Sequence, residues 1–287
     1  MSETVSDRRG SPYRPQPLAV VAGGSAGLGR VIAAKLLGRG FHVILVARDA
    51  ARLEQARAGL LASGPAGASV TSVVADLTSE ADVRGLAVRV GQIAPRLEVL
   101  VNVAGSSDRG LAAELTRERL IELVDQNVTT AMLCSRHLLP MIAAAGGVIV
   151  NVGSLASKVG ARYLGGYVAA KHALAGWTQQ LRLELRPRGV HVALVCPGPI
   201  RRDDAGRRYA ERLDAGLPEQ ASAPGGGTRV RGLAPERVAV AVIRCIDRRC
   251  PEIILPGYLR LLVALGHAFP RLGDWLLIRM TGRGDKR

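Results

Sequence analysis

The sequence predicts an α/β fold in one domain: a doubly wound parallel sheet with helices on both faces, followed by a C-terminal hydrophobic helical extension. Three observations carry this expectation. Short continuous apolar runs such as LAVVA at 18–22 and HVILVA at 42–47 read as strands buried on both faces. Helical patterns separate these runs along the chain, as in repeated βα units. A length of 287 residues suits one such domain with a sizeable core.

The elements follow in order. Leu18 to Ala22 is the first strand, and GGSAGLG comes directly after it, before the amphipathic run RVIAAKLLGRG. A glycine turn between strand and helix is the setting of a dinucleotide site. Gly23 permits a tight turn, Gly27 lets a pyrophosphate approach the backbone, and Gly29 lets helix and strand pack closely. Ser25 and Leu28 share that turn and are assigned to the cofactor with the glycines. His42 to Ala47 is the second strand, followed by Arg48 and Asp49. An arginine at this strand tip suits a ribose 2′-phosphate, so Arg48 predicts NADP(H) in preference to NAD(H). The plainer alternative makes Arg48 a solvated loop charge. Asp49 is placed to cap the next helix.

Gly64 to Ala68 forms a loop, and Ser69 to Ala75 the third strand, ending in Asp76 and Leu77. Asp76 either meets the adenine amino group or caps the helix over 80–94, for which Thr78 and Ser79 compete. Leu97 to Val103 is the fourth strand. Asn102, Ala104 and Gly105 at its end would let a ribose or nicotinamide pack against backbone. A long helical pattern covers Thr116 to Ala145, with a break or bend expected near Pro140. Asn127 lies inside it, either as a satisfied structural amide or as the cause of a local kink.

Gly147 to Val152 is the fifth strand and leads into Ser154. Residues 162–186 carry a helix with Tyr167 and Lys171 four apart, which stacks them on one face. A phenol titrates near pH ~10. A neighbouring ammonium favours the phenolate and makes the group a better proton donor at neutral pH. Ser154 is placed to donate a hydrogen bond to a substrate oxygen. His191 to Cys196 is the sixth strand, ending in Pro197, Gly198, Pro199 and Ile200. Residues 201–232 are arginine-rich, then glycine-rich, and read as a lid; their arginines either meet an acidic substrate or form a solvated surface. A helix at 234–249 and a last strand at 252–255 complete the domain. The motifs all fall at strand carboxyl ends, where such sheets bind ligands.

Composition narrows the function classes. The net charge is +15, but the excess is arginine spread along the chain, and aromatic residues are only 3%. With so few stacking platforms, specific nucleic-acid binding is not expected. Cys134, Cys196, Cys245 and Cys250 read as core thiols of a reducing compartment, and no metal site is expected. No uninterrupted apolar run of about 18 residues appears, so no spanning helix is expected. Residues 1–17 are polar and proline-rich, without the apolar core of a signal peptide. They read as a disordered lead-in, and the protein as cytoplasmic, with peripheral membrane contact an option for its tail. That tail, 256–287, alternates Leu, Val, Phe and Trp with Arg260, Arg271 and Arg279. It would cap an apolar pocket, bury against a second subunit, or lie in a membrane interface.

Taken together, residues 18–200 resemble a classical short-chain dehydrogenase/reductase. AGGSAGLG is similar to the family's glycine motif, with Ala22 where a Thr is usual. Asn102-Val103-Ala104-Gly105 is similar to its Asn-Asn-Ala-Gly motif, with Val103 departing. Asn127, Ser154, Tyr167 and Lys171 match its four catalytic residues without substitution, and Pro197-Gly198-Pro199-Ile200 its Pro-Gly motif. Arg202 stands where a cofactor-contacting Thr is common.

The resemblance implies a single Rossmann-type domain over 18–255 and a homodimer or homotetramer. It also implies interconversion of a carbonyl and a secondary alcohol, here on a fairly apolar small molecule. Tyr167 would transfer the proton, Ser154 polarise the oxygen, Lys171 hold the nicotinamide ribose, and Asn127 position a water. Tyr167 and Lys171 thereby also count among the cofactor contacts. Readings from other classes are a dinucleotide-binding regulator or scaffold without turnover, and a membrane-surface interaction protein. The intact set of four argues against the first.

Overall fold

In the computed structural model, residues 16–201, 217, 221, 225, 227, 228 and 230–281 are described. The lead-in up to residue 15, Arg202 and most of the expected lid lie outside them.

Seven strands build the sheet: β1 Leu18–Ala22, β2 His42–Ala47, β3 Val70–Val74, β4 Val99–Asn102, β5 Val148–Val152, β6 His191–Pro197 and β7 Glu252–Leu255. All pairings are parallel, in the order β3-β2-β1-β4-β5-β6-β7. The chain winds outward from β1 in one direction, then returns to β4 and winds outward in the other. The crevice between β1 and β4 is therefore the switch point where ligands bind in such sheets.

Strand residues alternate between two cores, which is why the runs are apolar throughout. Val21, Leu45, Val101 and Val150 face one helical layer: α1 (Gly27–Leu37), α2 (Ala50–Ser63) and α7 (Pro235–Arg248). Val20, Ile44, Leu100 and Ile149 face the other: α3 (Glu80–Ile93), α5 (Thr130–Ala145) and the C-terminal end of α6 (Tyr167–Leu185). Cys134, Cys196 and Cys245 are buried, as expected of core thiols.

Capping follows the expected chemistry. Asp49 accepts from the Arg52 N–H, and Ser79 from the Asp82 N–H, so Ser79 wins over Thr78. Asp76 caps no helix. Its carboxylate accepts from the N–H and hydroxyl of Thr78, two residues on, closing a local turn.

Of the break or bend expected near Pro140, the break is absent. Helix α5 runs through Pro140 without interruption. The irregular turn lies earlier, a π-type segment at Asp125–Thr129 between α4 (Arg117–Val124) and α5. Its cause is Asn127, whose Nδ2 donates to the Leu123 carbonyl, the group an α-helix reserves for the N–H four residues on. The Tyr167 helix also starts later than expected: Tyr167 is the first residue of α6, and 162–166 precede it in turns. By length and composition alone the run 117–145 could span a membrane. In the fold, however, Leu133, Cys134, Leu138 and Ile142 bury its apolar face on the sheet.

The C-terminal extension forms two helices, α8 (Leu259–Ala268) and α9 (Pro270–Thr281). They cross where Gly266 meets Gly273, since a Cβ on Gly273 would lie 2.9 Å from the Gly266 Cα. Leu259 and Val263 are buried, and Leu262 and Met280 pack against a small core with Leu194, Cys196 and Ile254.

Candidate active site

A single cleft of about 2060 Å³ runs across the carboxyl ends of the strands. Its lining contains Gly23, Ser25, Gly27, Leu28, Gly29, Arg48, Asp76, Leu77, Ala104, Gly105, Asn127, Ser154, Tyr167, Lys171, Pro197, Gly198 and Ile200. Most come from the ends of six strands, and Asn127, Tyr167 and Lys171 from helical segments beside them, so the fold gathers almost every candidate from positions up to 177 residues apart in sequence.

At one end lies the glycine turn. Gly23 has φ +92°, and a Cβ there would lie 2.7 Å from the Ala104 amide nitrogen. A Cβ on Gly29 would penetrate the Gly23 carbonyl oxygen. Gly27 is different: with φ +50° it faces open space, where nothing approaches within 4 Å. Two glycines are thus required by backbone packing, and the third leaves room at the N-terminus of α1 for an anion. Gly29→Ala is expected to fold with a loss of about 1–3 kcal/mol, because the turn must shift. Dinucleotide affinity should fall at least tenfold by calorimetric titration; unchanged affinity would mean the turn has slack.

In the middle, Arg48 and Asp76 flank the cleft at the tips of β2 and β3. The closest approach of their charges is 3.9 Å, and the Arg48 side chain is 70% exposed. Hydrogen bonds from Thr78, with Arg48 contributing less, hold the Asp76 carboxyl below its ordinary range. Arg48 is therefore a loosely tethered cation beside open space.

At the other end, Lys171 is 4% exposed, and its Nζ donates to the Val152 carbonyl at 3.2 Å. Burial pulls its pKa from 10.5 down to about 8. The ammonium lies 5.8 Å from the centre of the Tyr167 ring. Asn127 is 1% exposed, donates from Nδ2 to the Ser106 and Leu123 carbonyls, and leaves Oδ1 buried with no partner. A Cβ on Gly105 would lie 2.7 Å from that Oδ1 and 3.4 Å from Lys171 Nζ. Gly105 thus keeps open the gap on which an acceptor and an ammonium converge. The Ser154 Oγ accepts from the Ala156 N–H, which fixes the oxygen and leaves its own proton for an acceptor.

Asn102 is the candidate that the cleft does not include. It is 5% exposed, and its Nδ2 donates to Asn151 Oδ1 at 2.8 Å, while Asn151 Nδ2 donates to Thr178 Oγ1. Its side chain ties β4 to β5 and α6 from behind, and the cleft wall begins with Val103.

One part of the site, Asp108 with its partners, carried no sequence signal. Asp108 accepts from Arg119 Nη2 at 2.7 Å and from the Gly166 N–H at 3.4 Å, so an ion pair grips the residue preceding Tyr167. Residues from α8 and α9, among them Leu262, Val263, Leu277 and Met280, add an apolar wall to the cleft. The wall is anchored by a 2.7 Å hydrogen bond between His267 Nε2 and the Lys158 carbonyl, which itself can only accept. Of the three roles open to the tail, capping the pocket is the one seen here. Among the described residues no cluster of His, Cys, Asp or Glu could hold a metal ion.

The family model described as short chain dehydrogenase matches residues 17–212. The human 3-oxoacyl-[acyl-carrier-protein] reductase is 30% identical over 202 residues, 70% of this chain and 83% of the relative. Ketoacyl reductase HetN of a Nostoc species is 29% identical over 263 residues, 89% of this chain and 86% of that one. Among solved structures, an actinorhodin polyketide ketoreductase mutant with NADPH superposes with TM-score 0.73 at 27% identity, covering 84% of this chain and 96% of its own.

Proposed function

The protein belongs to the short-chain dehydrogenase/reductase family and is an NAD(P)-dependent oxidoreductase; on that premise we propose that it is an NADP(H)-dependent reductase of apolar ketones, acyl compounds included. The observation that carries the reading is the buried Lys171 beneath Tyr167, beside the unpartnered Asn127 Oδ1, at one end of a cleft whose other end is the glycine turn.

The residues present fit a dinucleotide. Gly27 leaves room for the pyrophosphate, Arg48, only loosely tethered to Asp76, can meet a 2′-phosphate, and the Lys171 ammonium can hold ribose hydroxyls. When bound, the nicotinamide supplies the hydride for reduction. The chain's own groups do the rest. Ser154 donates its hydroxyl proton in a hydrogen bond to the substrate oxygen and stabilises negative charge there. Tyr167 gives its phenolic proton to the same oxygen, and Lys171 stabilises the charge left on the phenol. Asn127 Oδ1 accepts from a water that carries protons toward Lys171. The wall from α8 and α9 excludes solvent and selects an apolar substrate. The ketoacyl reductase names of the human and Nostoc relatives support a ketone next to an acyl group.

The test begins with the cofactor. NADPH is expected to bind at least about tenfold more tightly than NADH, about 1.4 kcal/mol, and Arg48→Ala should remove most of that difference. Fluorescence titration measures it. NADH binding as tight as NADPH would make Arg48 a bystander and end the NADP(H) reading. A panel of ketones of increasing chain length, followed by NADPH oxidation, then tests the substrate class.

A further inference from the structure

We propose that the outer face of the α8–α9 hairpin docks on an anionic lipid surface. An amphipathic surface helix has one apolar stripe, and it is spent on the core. These two helices have a second. Their inner sides line the cleft and the small core through residues such as Leu259, Val263 and Met280. Their outer sides present Tyr258, Leu261, Phe269, Leu272, Trp275 and Ile278, with Leu261 66%, Trp275 53% and Ile278 61% exposed. Seven of the fifteen exposed large apolar side chains among the described residues fall between Tyr258 and Ile278, counting Leu265. That concentration in one short stretch is not the ordinary scatter of surface hydrophobes.

Charge identifies the occupant. Arg260, Arg271 and Arg279 are exposed, and none of them lines the cleft. The Arg279 guanidinium stacks 5.3 Å over the Trp275 ring. The acid of the hairpin, Asp274, turns to the cleft lining instead. Apolar and aromatic residues flanked by arginines are what an interfacial helix needs against anionic headgroups. A second copy of the chain fits less well, because a two-fold interface would bring the same arginines toward one another. The hairpin's thickness then separates the lipid from the cleft. A membrane-dissolved ketone would have a short path to Tyr167. That last link rests on the proposed function, whereas the docking itself is read without turnover.

The test uses the full chain carrying Trp177→Phe, which leaves Trp275 as the one tryptophan. The probes are vesicles of equal parts phosphatidylcholine and phosphatidylglycerol, and vesicles of phosphatidylcholine alone. Co-sedimentation and a blue shift of Trp275 emission are expected with the first, weakening as salt is raised. Replacing Arg260, Arg271 and Arg279 together by Gln should lower partitioning on the order of a hundredfold, from roughly fivefold per arginine. Trp275→Glu with Ile278→Glu should abolish it while turnover of a water-soluble ketone persists.

The intact protein alone can overturn the proposal, by failing to sediment with the anionic vesicles or by binding both vesicle types equally. A dimer that light scattering detects and Trp275→Glu dissociates, with no vesicle binding, would assign the face to a second copy. A Trp275 signal that responds to vesicles only after residues 1–15 are removed would assign it to the chain's own N-terminus. Either result overturns lipid docking.

Discussion

Tyr167→Phe is expected to lower kcat by roughly a thousandfold or more while leaving NADPH affinity within about twofold. The reason is local. Phenylalanine keeps the ring, its place at the start of α6 and its contact with the Lys171 ammonium. Only the phenolic proton is removed. The neighbouring groups cannot replace it: Ser154 offers a hydroxyl far too weak as an acid, and the Lys171 Nζ is held on the Val152 carbonyl. The measurement is steady-state reduction of a ketone together with NADPH titration of the same variant. Activity above a tenth of the parent's would remove the phenol from the role of proton donor. Equal losses in binding and turnover would make Tyr167 a structural residue. A protein acting as a dinucleotide-binding regulator would show no change in its biological readout, so the same variant separates the two classes of function.

Lys171→Met should cost turnover on the order of a hundredfold and weaken NADPH, yet the protein should not lose stability at neutral pH. Burial depresses the lysine pKa from 10.5 to about 8. Between those values the unfolded chain holds a proton that the folded chain releases, so stability rises with pH across the window from about 8 to 10.5. Below about 8 the folded state bears the full cost of burying the ammonium, roughly 3 kcal/mol on this basis. Methionine, one heavy atom shorter, fills most of the same space without the charge. It should abolish the pH slope and be at least as stable as the parent at pH 7. Urea midpoints of the cofactor-free proteins from pH 7 to 10.5 check this. A variant clearly less stable at pH 7 would mean that the Val152 hydrogen bond outweighs desolvation. The combination of lost activity and retained stability is what a residue kept for chemistry predicts.

Much of this was legible in the chain. Buried parallel strands must be apolar on both faces, so β1, β2 and β5 announce themselves as continuous runs, and only their ends shift by a residue or so. The glycine turn was readable because backbone geometry demands it: Gly23 needs positive φ, and Gly29 has no space for a Cβ. The orientation of the Asn102 amide was not legible, because its position at a strand tip does not say which way the side chain turns. Buried Asn151 and Thr178, 49 and 76 residues further on, provide the partners that draw it away from the cleft. Pro140 was expected to break or bend a helix on local grounds, and the helix is unbroken there. The observed irregularity is at Asn127, whose Nδ2 also reaches the Ser106 carbonyl, 21 residues back in sequence. Asp108 left no local trace, since it acts through Gly166, 58 residues away.

The sequence by itself determined the alternation of strands and helices, the dinucleotide turn, and the pairing of Tyr167 with Lys171, because each depends on periodicity or backbone sterics within a few residues. Tertiary structure alone decided three things. It buried Lys171 far enough to shift its proton. It left Asn127 Oδ1 without a partner at the gap kept by Gly105. It turned one side of the C-terminal hairpin to the cleft and the other to solvent. Burial, desolvation and unmet hydrogen bonds are properties of what the rest of the chain places around a residue, and no local pattern encodes them.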